Sequence, residues 1–362
     1  MKRILPIVCV AILAPASAAQ QSPSHAVILL TLDGARHQEM FGGIELDALR
    51  SQLRERDVLE SHPLYKRFWA PTPEERRQKL LPFFWGTLMR EHGSIAGNPA
   101  RGSDVRLSNE HRFSYPGYAE MLLGRAHDEV IDSNDPVQNR FPTVLEFLKA
   151  RASLSAQQVV VFASWTIFNQ IVEKTPGALT VNAGFEAWDS PDPEVQRLSQ
   201  LQFETLTPWG SVRHDAYTFR FAMDHLARHR PRVIYLALGE TDDWAHDGRY
   251  DRVLDAYVQT DRYLQQLWTW LQSQPEYQGR TSILVTTDHG RGSGLKEWRD
   301  HGAKTAGSGD TWMAFVSPHM KQRGEWTAHA PITAAQVAAT LVEWIGFDWK
   351  AFDPRAAPPV AQ

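Results

Sequence analysis

The sequence contains a single cysteine, Cys9, among its 362 residues. Because Cys9 lies within the first twenty residues, the rest of the chain can use neither a disulfide nor a thiolate nucleophile. The chain also lacks an excess of positive charge: its formal net charge is −4 at pH 7, and it becomes −6 when Lys2 and Arg3 are left out. An acidic balance argues against nucleic acid as a bulk electrostatic partner.

Long hydrophobic runs are missing as well, except at the N-terminus. Two basic residues precede an almost wholly apolar run over residues 4–13, and Ala16-Ser17-Ala18 offers a cleavage site of small residues. This pattern predicts a Sec-type signal peptide over residues 1–18 and a periplasmic or secreted protein. The apolar run is too short for a mature transmembrane helix, and no later run is long and apolar enough, so we expect no membrane span.

The remaining residues, 19–362, suffice for a single α/β domain with a substantial core. Short apolar runs alternate in it with longer amphipathic runs. The apolar runs cover residues 26–34, 158–165, 232–242, 282–290 and 311–318, and the amphipathic runs cover 72–93, 249–272 and 333–347. Runs that are apolar on both faces are typical of a parallel sheet covered on both sides. The alternation therefore predicts an α/β fold of three layers, with helices on both faces of a largely parallel central sheet.

Two segments do not follow this alternation. Residues 43–110 are rich in charge and tryptophan, and we expect an inserted helical segment near the functional site there. Within this segment, Thr72 is a predicted N-cap ahead of Pro73, and Pro82 predicts a break or a kink. The C-terminal residues 355–362, rich in alanine and proline, are expected to be disordered.

Acidic residues and histidines follow three of the five predicted strands, in the stretches LDG, ETDDWAH and TTDHG, and one more histidine follows in WRDHG. In open α/β sheets, ligands bind beyond the carboxyl ends of the strands. Carboxylate oxygens and imidazole nitrogens are ligands for zinc and similar ions. The residues that we expect at this edge are Asp33, Asp242, His246, Asp288, His289 and His301.

Each of these residues also has an ordinary explanation. Asp33 before a glycine suits a turn. Asp242 and His246 could share a local hydrogen bond, and His301 could be a solvated loop residue. Six possible ligands at one edge of one sheet nevertheless predict a metal centre. That number is about right for two ions with open positions, the arrangement that phosphoryl-transfer chemistry uses.

A candidate nucleophile lies in the stretch RFSYPGYAEMLLG, residues 112–124. Ser114 precedes a Pro-Gly pair and an amphipathic run, which predicts that it lies at the N-terminus of a helix. A serine in that place is most often a helix cap. The same helix end would also stabilise an alkoxide or a phosphate group. Tyr115 either lines a substrate pocket beside this serine or packs in the core.

In this order, the residues resemble the motifs of the alkaline phosphatase superfamily, especially its nucleotide pyrophosphatase/phosphodiesterase-like branch. That branch carries its nucleophile in Thr or Ser, any residue, Pro, then Gly or Asn, with a glycine about ten positions on; SYPGYAEMLLG matches from Ser114 to Gly124. Asn134 matches an Asn that contacts the transferred group, about twenty residues after the nucleophile. The DG, D-x-x-x-H, DHG and HG motifs of the branch match at Asp33-Gly34, Asp242 with His246, 288–290 and His301-Gly302.

The resemblance implies a catalytic domain that binds two divalent ions, zinc foremost and manganese as an alternative. One ion would be bound by Asp33, Asp288, His289 and the Ser114 oxygen, and the other by Asp242, His246 and His301. The implied reaction is hydrolysis of a small-molecule phosphoric monoester or diester through a phosphoseryl intermediate, in which Ser114 and Asn134 act on the transferred group.

The last histidine ligand has a rival. His329 in TAHAPI also follows the DHG motif and could reach the same edge of the sheet, but its neighbours equally suit a residue at the start of a helix. His301 is favoured because it lies in the loop before the predicted strand at 311–318 and is followed by Gly302, which allows a tight turn around an ion.

Two other functions remain open. A sulfatase of the same fold would need Cys or Ser in the pattern C/S-x-P-x-R, and the sequence has Tyr118 at the position of the arginine. The other is a non-catalytic metal- or ligand-binding protein of this fold. A missing nucleophile or a missing ligand would favour it, but the sequence contains candidates for both.

Overall fold

The computed structural model of the chain describes residues 25–321 and 324–361. The predicted signal peptide over residues 1–18 lies outside them. Among the described residues, no helix combines the length and the apolar character that crossing a membrane requires.

The strands are β1 (Ala26–Leu32), β2 (Gly93–Ala96), β3 (Val105–Arg106), β4 (Val159–Ala163), β5 (Thr180–Ala183), β6 (Val233–Leu238), β7 (Thr281–Thr286), β8 (Met313–Val316), β9 (Gly324–Glu325) and β10 (Ile332–Thr333). The helices are α1 (His37–Gly42), α2 (Leu46–Arg50), α3 (Pro63–Phe68), α4 (Pro73–Leu80), α5 (Ser114–Leu123), α6 (Val144–Arg151), α7 (Phe168–Ile171), α8 (Pro193–Leu201), α9 (Asp215–His229), α10 (Glu240–His246), α11 (Tyr250–Ser273), α12 (Gly294–Glu297) and α13 (Gln336–Ile345). Shorter 3-10 turns lie at Leu59–Ser61, Pro99–Arg101, Ala156–Gln158 and Trp349–Ala351, and a π-helix spans Phe84–His92.

Eight of the described strands form one sheet in the order β5-β4-β6-β1-β7-β8-β2-β9. The five strands from β5 to β7 are parallel to one another, whereas β8 is antiparallel to both of its neighbours. Strands that follow one another in the chain and run parallel in one sheet need crossover connections, and helices such as α9, between β5 and β6, and α11, between β6 and β7, supply them. The predicted α/β fold with a largely parallel central sheet is confirmed.

The central strand β1 shows why helices cover both faces of the sheet. Ile28 and Leu30 pack into one hydrophobic core with residues of α9 and α11, and Val27 and Leu29 pack into a second core with residues of α5, α6 and α13. Successive side chains of a strand point to opposite faces, so a strand that is apolar at every position needs a layer on each side. The sheet therefore forms the middle of three layers, as the sequence predicts.

The segment 43–110 differs from the expected helical insert in its second part. It is helical from α2 through the π-helix, but β2 then enters the main sheet between β8 and β9, and β3 pairs with β10. Four residues are too few to display a strand pattern in the sequence. The local signals within the segment are confirmed: Thr72 and Glu75 form a reciprocal capping box at the start of α4, and α4 ends at Leu80, before Pro82.

The C-terminal residues 355–361 also differ from the expected disorder. Val360 is buried, and its N–H donates to Thr340 Oγ1 at 3.0 Å. The N–H of Ala357 donates to the carbonyl of Gly124 at 2.8 Å. Composition reports only the weak local preference of this segment, whereas its order comes from contacts with α5 and α13.

Candidate metal centre

The sheet topology brings the predicted ligands together. The neighbouring strands β6, β1 and β7 are parallel, with Leu32 of β1 opposite Leu238 of β6 and Thr31 opposite Thr286 of β7. Their carboxyl ends therefore meet at one edge of the sheet, and the residues that follow each strand converge there. Asp33 still continues the β-ladder, because its N–H donates to the carbonyl of Leu238 at 2.9 Å.

The first group of ligands surrounds the Nε2 atom of His289. Asp33 Oδ1 lies 3.4 Å from it, Asp288 Oδ2 lies 3.5 Å from it, and Ser114 Oγ lies 3.4 Å from it. His289 Nδ1 lies 2.9 Å from the carbonyl of Gly290, so Nδ1–H donates there and the lone pair of Nε2 remains for an ion. Ligand atoms at 2.0–2.2 Å from a tetrahedral zinc ion are about 3.3–3.6 Å apart, a range that includes the distances found here.

The carboxylates of this group are fixed by one oxygen each. Asp33 Oδ2 accepts a hydrogen bond from the Tyr118 hydroxyl at 2.9 Å, and Asp288 Oδ1 accepts one from the N–H of Gly34 at 3.0 Å. The other oxygens, Asp33 Oδ1 and Asp288 Oδ2, are buried and have no hydrogen-bond partner among the described residues. Buried oxygens of this kind call for a cation, so the residues fit a bound ion.

The second group consists of Asp242, His246 and His301, whose ligand atoms all lie within 4.8 Å of one another. Asp242 and His246 lie four residues apart on α10, and Asp242 Oδ2 is 3.2 Å from His246 Nε2. His301 comes from the loop after α12, and its Nε2 atom is 3.0 Å from that of His246. The two groups adjoin, because the ring of His289 stacks on that of His301 at 4.0 Å between centroids.

Burial and mutual repulsion shift the titration of these groups. Burial, and then the charge of Asp242, raise the pKa of Asp33 well above its usual range, and burial with Asp33 does the same to the pKa of Asp288. Burial and the neighbouring His289 lower the pKa of His301 to about 2. A neutral imidazole is the form that ligates a metal. Without an ion, burial therefore favours the uncharged forms of Asp33, Asp288 and His301. A bound ion would favour the charged carboxylates and the neutral imidazole, which are the forms that ligate a metal.

The position of Ser114 depends on a close helix approach. Ser114 is buried and is the first residue of α5. The helix lies so close to the loop after β7 that a Cβ atom on Gly117 would be 2.2 Å from the carbonyl oxygen of Asp288. Glycine at this position therefore allows α5 to bring Ser114 to the first ligand group. The cap residue is Phe113, which has no capping hydrogen bond from its side chain.

Asn134 and Tyr115 lie beside this serine. The Oδ1 atom of Asn134 accepts a hydrogen bond from the backbone N–H of Tyr115 at 2.8 Å, so its exposed amide group is tied to the first turn of α5. The Tyr115 hydroxyl donates to the carbonyl of Val137 at 2.7 Å, and burial raises its pKa to about 12. Tyr115 also lines a cavity of about 200 Å³ formed mainly by residues 130–140.

The structure places the two rival histidines differently. His301 belongs to the second ligand group. His329 is engaged elsewhere: its Nε2 atom is 2.6 Å from Ser103 Oγ, and its Nδ1 atom is 2.6 Å from the carbonyl of Ala330. His301 therefore lies beside the other predicted ligands and His329 does not, and the role of His301 as the last ligand stays a prediction.

Two residues of the site escaped sequence reasoning. Tyr118 binds the Asp33 carboxylate, and Arg291 forms a buried ion pair with Asp242. Burial alone would raise the pKa of Asp242, but the charges of Arg291 and then His246 hold this pKa well below its usual range. A signal for Arg291 existed, since a charged residue stands between the glycines of DHGRG, but the sequence does not show which acid it meets. Tyr118 carries no comparable signal.

Comparison with known proteins gives a structural answer only. No protein-family model and no curated protein sequence matches the chain. Solved structures do match. Wild-type alkaline phosphatase PafA is 10% identical, with a TM-score of 0.55 over 90% of this chain and 96% of that one. An alkaline phosphatase superfamily protein from Vibrio parahaemolyticus is 11% identical, with a TM-score of 0.52 over 94% of this chain and 71% of that one. A 2-O GAG sulfatase is 11% identical, with a TM-score of 0.51 over 89% of this chain and 71% of that one.

The chain therefore has the fold of the alkaline phosphatase superfamily, as its motifs predict. Proteins with this fold include phosphatases and sulfatases among the matched structures. At these identities the similarity establishes the fold, and the function has to be argued from the site itself.

Proposed function

We propose that the chain is a metal-dependent hydrolase of small-molecule phosphoric esters and that Ser114 is its nucleophile. One observation carries the proposal: the Ser114 hydroxyl and the free oxygens of Asp33 and Asp288 lie 3.4–3.5 Å from His289 Nε2, beside a second ligand group. A hydroxyl in that place can be a metal ligand and a nucleophile at once. The proposal includes that the chain belongs to the nucleotide pyrophosphatase/phosphodiesterase-like branch.

Two divalent ions, zinc foremost and manganese as an alternative, would lower the pKa of the Ser114 hydroxyl and neutralise charge on the transferred group. The Ser114 oxygen forms a bond to phosphorus while the bond to the leaving oxygen breaks, which gives a phosphoseryl intermediate. Water then attacks phosphorus and releases Ser114. Because Asn134 Oδ1 is held by the N–H of Tyr115, the Nδ2 side of the amide is the one that donates to an oxygen of the transferred group.

A sulfatase is the second candidate, because a sulfatase is among the structures with the same fold. Sulfatases carry an arginine two residues after the proline of their nucleophile motif, and this chain has Tyr118 there. Tyr118 is buried, and its hydroxyl is committed to Asp33. The position therefore supports a metal ligand instead of the sulfatase motif, which favours phosphoric esters.

The decisive experiment compares hydrolysis of nitrophenyl phosphate, bis-nitrophenyl phosphate and nitrophenyl sulfate by the purified chain with added Zn²⁺ or Mn²⁺. We expect a phosphoric ester to be hydrolysed fastest, and the ratio of the first two rates to distinguish a monoesterase from a diesterase. Hydrolysis of the sulfate ester alone would replace this proposal by the sulfatase, and bound metal without any hydrolysis would favour the non-catalytic alternative.

Ser114→Ala tests the nucleophile. We expect the variant to keep its bound metal and its fold but to lose several orders of magnitude in kcat. Ser282→Ala is the matched control, since Ser282 is a buried serine of β7 that bonds to His25 and Ser317 away from the ligand groups. Recovery of labelled phosphoserine at a position other than Ser114 would contradict the assignment.

Metal dependence and export complete the proposal. Exhaustive chelation should abolish hydrolysis, and Zn²⁺ should restore it; full activity in protein shown by metal analysis to be metal-free would exclude the two-ion centre.

The basic, apolar and small-residue pattern of residues 1–18 supports export to the periplasm or the medium. Cell fractionation of the full-length chain, with determination of the mature N-terminus, tests that part.

A further inference from the structure

The ligand cluster contains a buried positive charge of its own, Arg291, in addition to the ions that the site would bind. Its side chain is 1% exposed, and its Nη2 atom forms an ion pair with Asp242 Oδ1. The same Nη2 atom donates to the carbonyl of Asp242 at 3.1 Å, and Nη1 donates to the carbonyl of Arg299. The carboxylate and the carbonyl of Asp242, together with the carbonyl of Arg299, therefore fix the guanidinium against Asp242.

The oxygen that Arg291 contacts is the one that both ligand groups can reach. Asp242 Oδ1 lies 3.7 Å from His289 Nε2 and 3.9 Å from His301 Nε2, whereas Oδ2 lies beside His246. A free Oδ1 could move toward the first group or bridge the two. With Oδ1 held by Arg291, the oxygen that Asp242 presents to an ion is Oδ2, on the side of His246.

The backbone leaves room for this contact at Gly34, whose φ is +57°. A Cβ atom there would lie 2.4 Å from Asp242 Oδ1 and 2.9 Å from Arg291 Nε. The glycine after Asp33 thus serves the meeting of Arg291 with Asp242 as well as the turn. The close fit shows that the arginine side chain belongs to the centre and is not a surface group that happens to reach it.

We propose that Arg291 is a positioning residue that reserves Asp242 for the ion bound with His246 and His301, and that it does so by holding Oδ1. The inference rests on the two-ion centre of the proposed function but not on the reaction. Lysine cannot replace it fully, because an ammonium is a point charge and cannot contact a carboxylate and two carbonyls in the fixed geometry of a guanidinium.

The test measures metal binding to chelator-treated protein by calorimetric titration with Zn²⁺, with no substrate present. In Arg291→Met we expect the affinity of the site that contains His246 and His301 to fall about 10- to 100-fold, as for other residues that orient a ligand. Arg291→Lys should recover part of the loss. In a His301→Ala background, which leaves the first group, Arg291→Met should not weaken binding.

Co²⁺ supplies a readout that a purely structural role would not change. Its visible spectrum reports the number and geometry of its ligands, and release of Asp242 Oδ1 in Arg291→Met should alter the spectrum of the second site. Arg36→Met is the matched control. Arg36 is equally buried and ion-paired, with Glu39, and bonds to the carbonyl of Gly292 at 3.0 Å; its loss should lower stability but leave both affinities and the spectrum unchanged.

Two results would overturn the inference. One is that Arg291→Met binds metal as tightly as the control Arg36→Met and gives the same cobalt spectrum. The other is unchanged metal binding in Arg291→Met with a raised KM for a phosphoric ester, which would make Arg291 a substrate contact. A wild-type chain that binds two ions but hydrolyses no ester would refute the proposed function and leave the role of Arg291 standing, whereas a chain that binds no ion would refute both.

Discussion

Replacing Gly117 by alanine should damage catalysis out of proportion to the size of the change. The added Cβ would be 2.2 Å from the carbonyl oxygen of Asp288, and an ordinary contact begins at 3.4 Å. The helix α5 or the loop after β7 must therefore move by about 1.2 Å, the difference between these two distances. Both carry atoms of the first ligand group, Ser114 on α5 and Asp288 on the loop, so the movement separates them.

The expected cost has two parts. Overpacking lowers the free energy of unfolding by about 1–3 kcal/mol, from which the better helix propensity of alanine recovers at most about 1 kcal/mol. Misplacing a reacting group by about 1 Å costs on the order of 100-fold in rate. The assay measures kcat on the best nitrophenyl ester at saturating Zn²⁺, together with urea unfolding.

Gly42→Ala is the control for this prediction. A Cβ atom at Gly42, the last residue of α1, would have no atom within 4 Å, and this glycine is not among those with positive φ. We expect that variant to keep wild-type kcat and to be as stable as the wild type or slightly more so. A Gly117→Ala variant with kcat within twofold of wild type would refute the reasoning, because it would show that α5 need not lie against the loop after β7.

Three further predictions concern the ligand groups. His301→Ala should lose about one of two bound ions per chain, and His329→Ala should keep both; the reverse result in elemental analysis would exchange their roles. Tyr118→Phe removes the hydrogen bond to Asp33 Oδ2 and should weaken Zn²⁺ binding about 10- to 100-fold while lowering stability by about 1 kcal/mol; unchanged affinity would show that Asp33 is held without it. In metal-free protein, the pKa of His301 lies near 2 instead of 6.5, so the unfolded chain binds a proton there that the folded chain rejects. The contribution of His301 to the free energy of unfolding is full well above pH 6.5 and is lost as the pH falls through and below that value. Urea unfolding at pH 6.5 and 5.5 should therefore show a wild-type loss about 1 kcal/mol larger than that of His301→Asn; equal losses would contradict the burial of a neutral His301.

The sequence predicted the sheet well where a strand is fully buried. The runs that became β1, β4, β6, β7 and β8 are apolar at nearly every position, and a strand between two helical layers has no polar face to interrupt the pattern. It failed at β2, four residues within a segment of helices, since so short a strand has no periodicity of its own. It also failed at residues 355–361, where Val360 is ordered by its contacts with α13.

For the candidate site, the local motifs indicated which residues are candidate ligands. Asp33, Asp288 and His289 end apolar runs, and Asp242 and His246 have the spacing of one helical turn, so each could be found from its own neighbours in the chain. Their meeting could not be found in that way. It depends on β6, β1 and β7 being adjacent in the sheet, an order that the linear sequence does not show.

By itself, the sequence determined which residues can ligate an ion, which serine starts a helix, and that the strands belong to a covered parallel sheet, because these follow from side-chain chemistry and from patterns over a few residues. Only the tertiary structure decided which oxygens remain free: Tyr118 takes one oxygen of Asp33, the N–H of Gly34 takes one of Asp288, and Arg291 takes one of Asp242. These partners lie between 49 and 254 positions away in the chain. Contacts at such separations are set by how the layers pack, and packing is a property of the whole chain and not of any stretch of it.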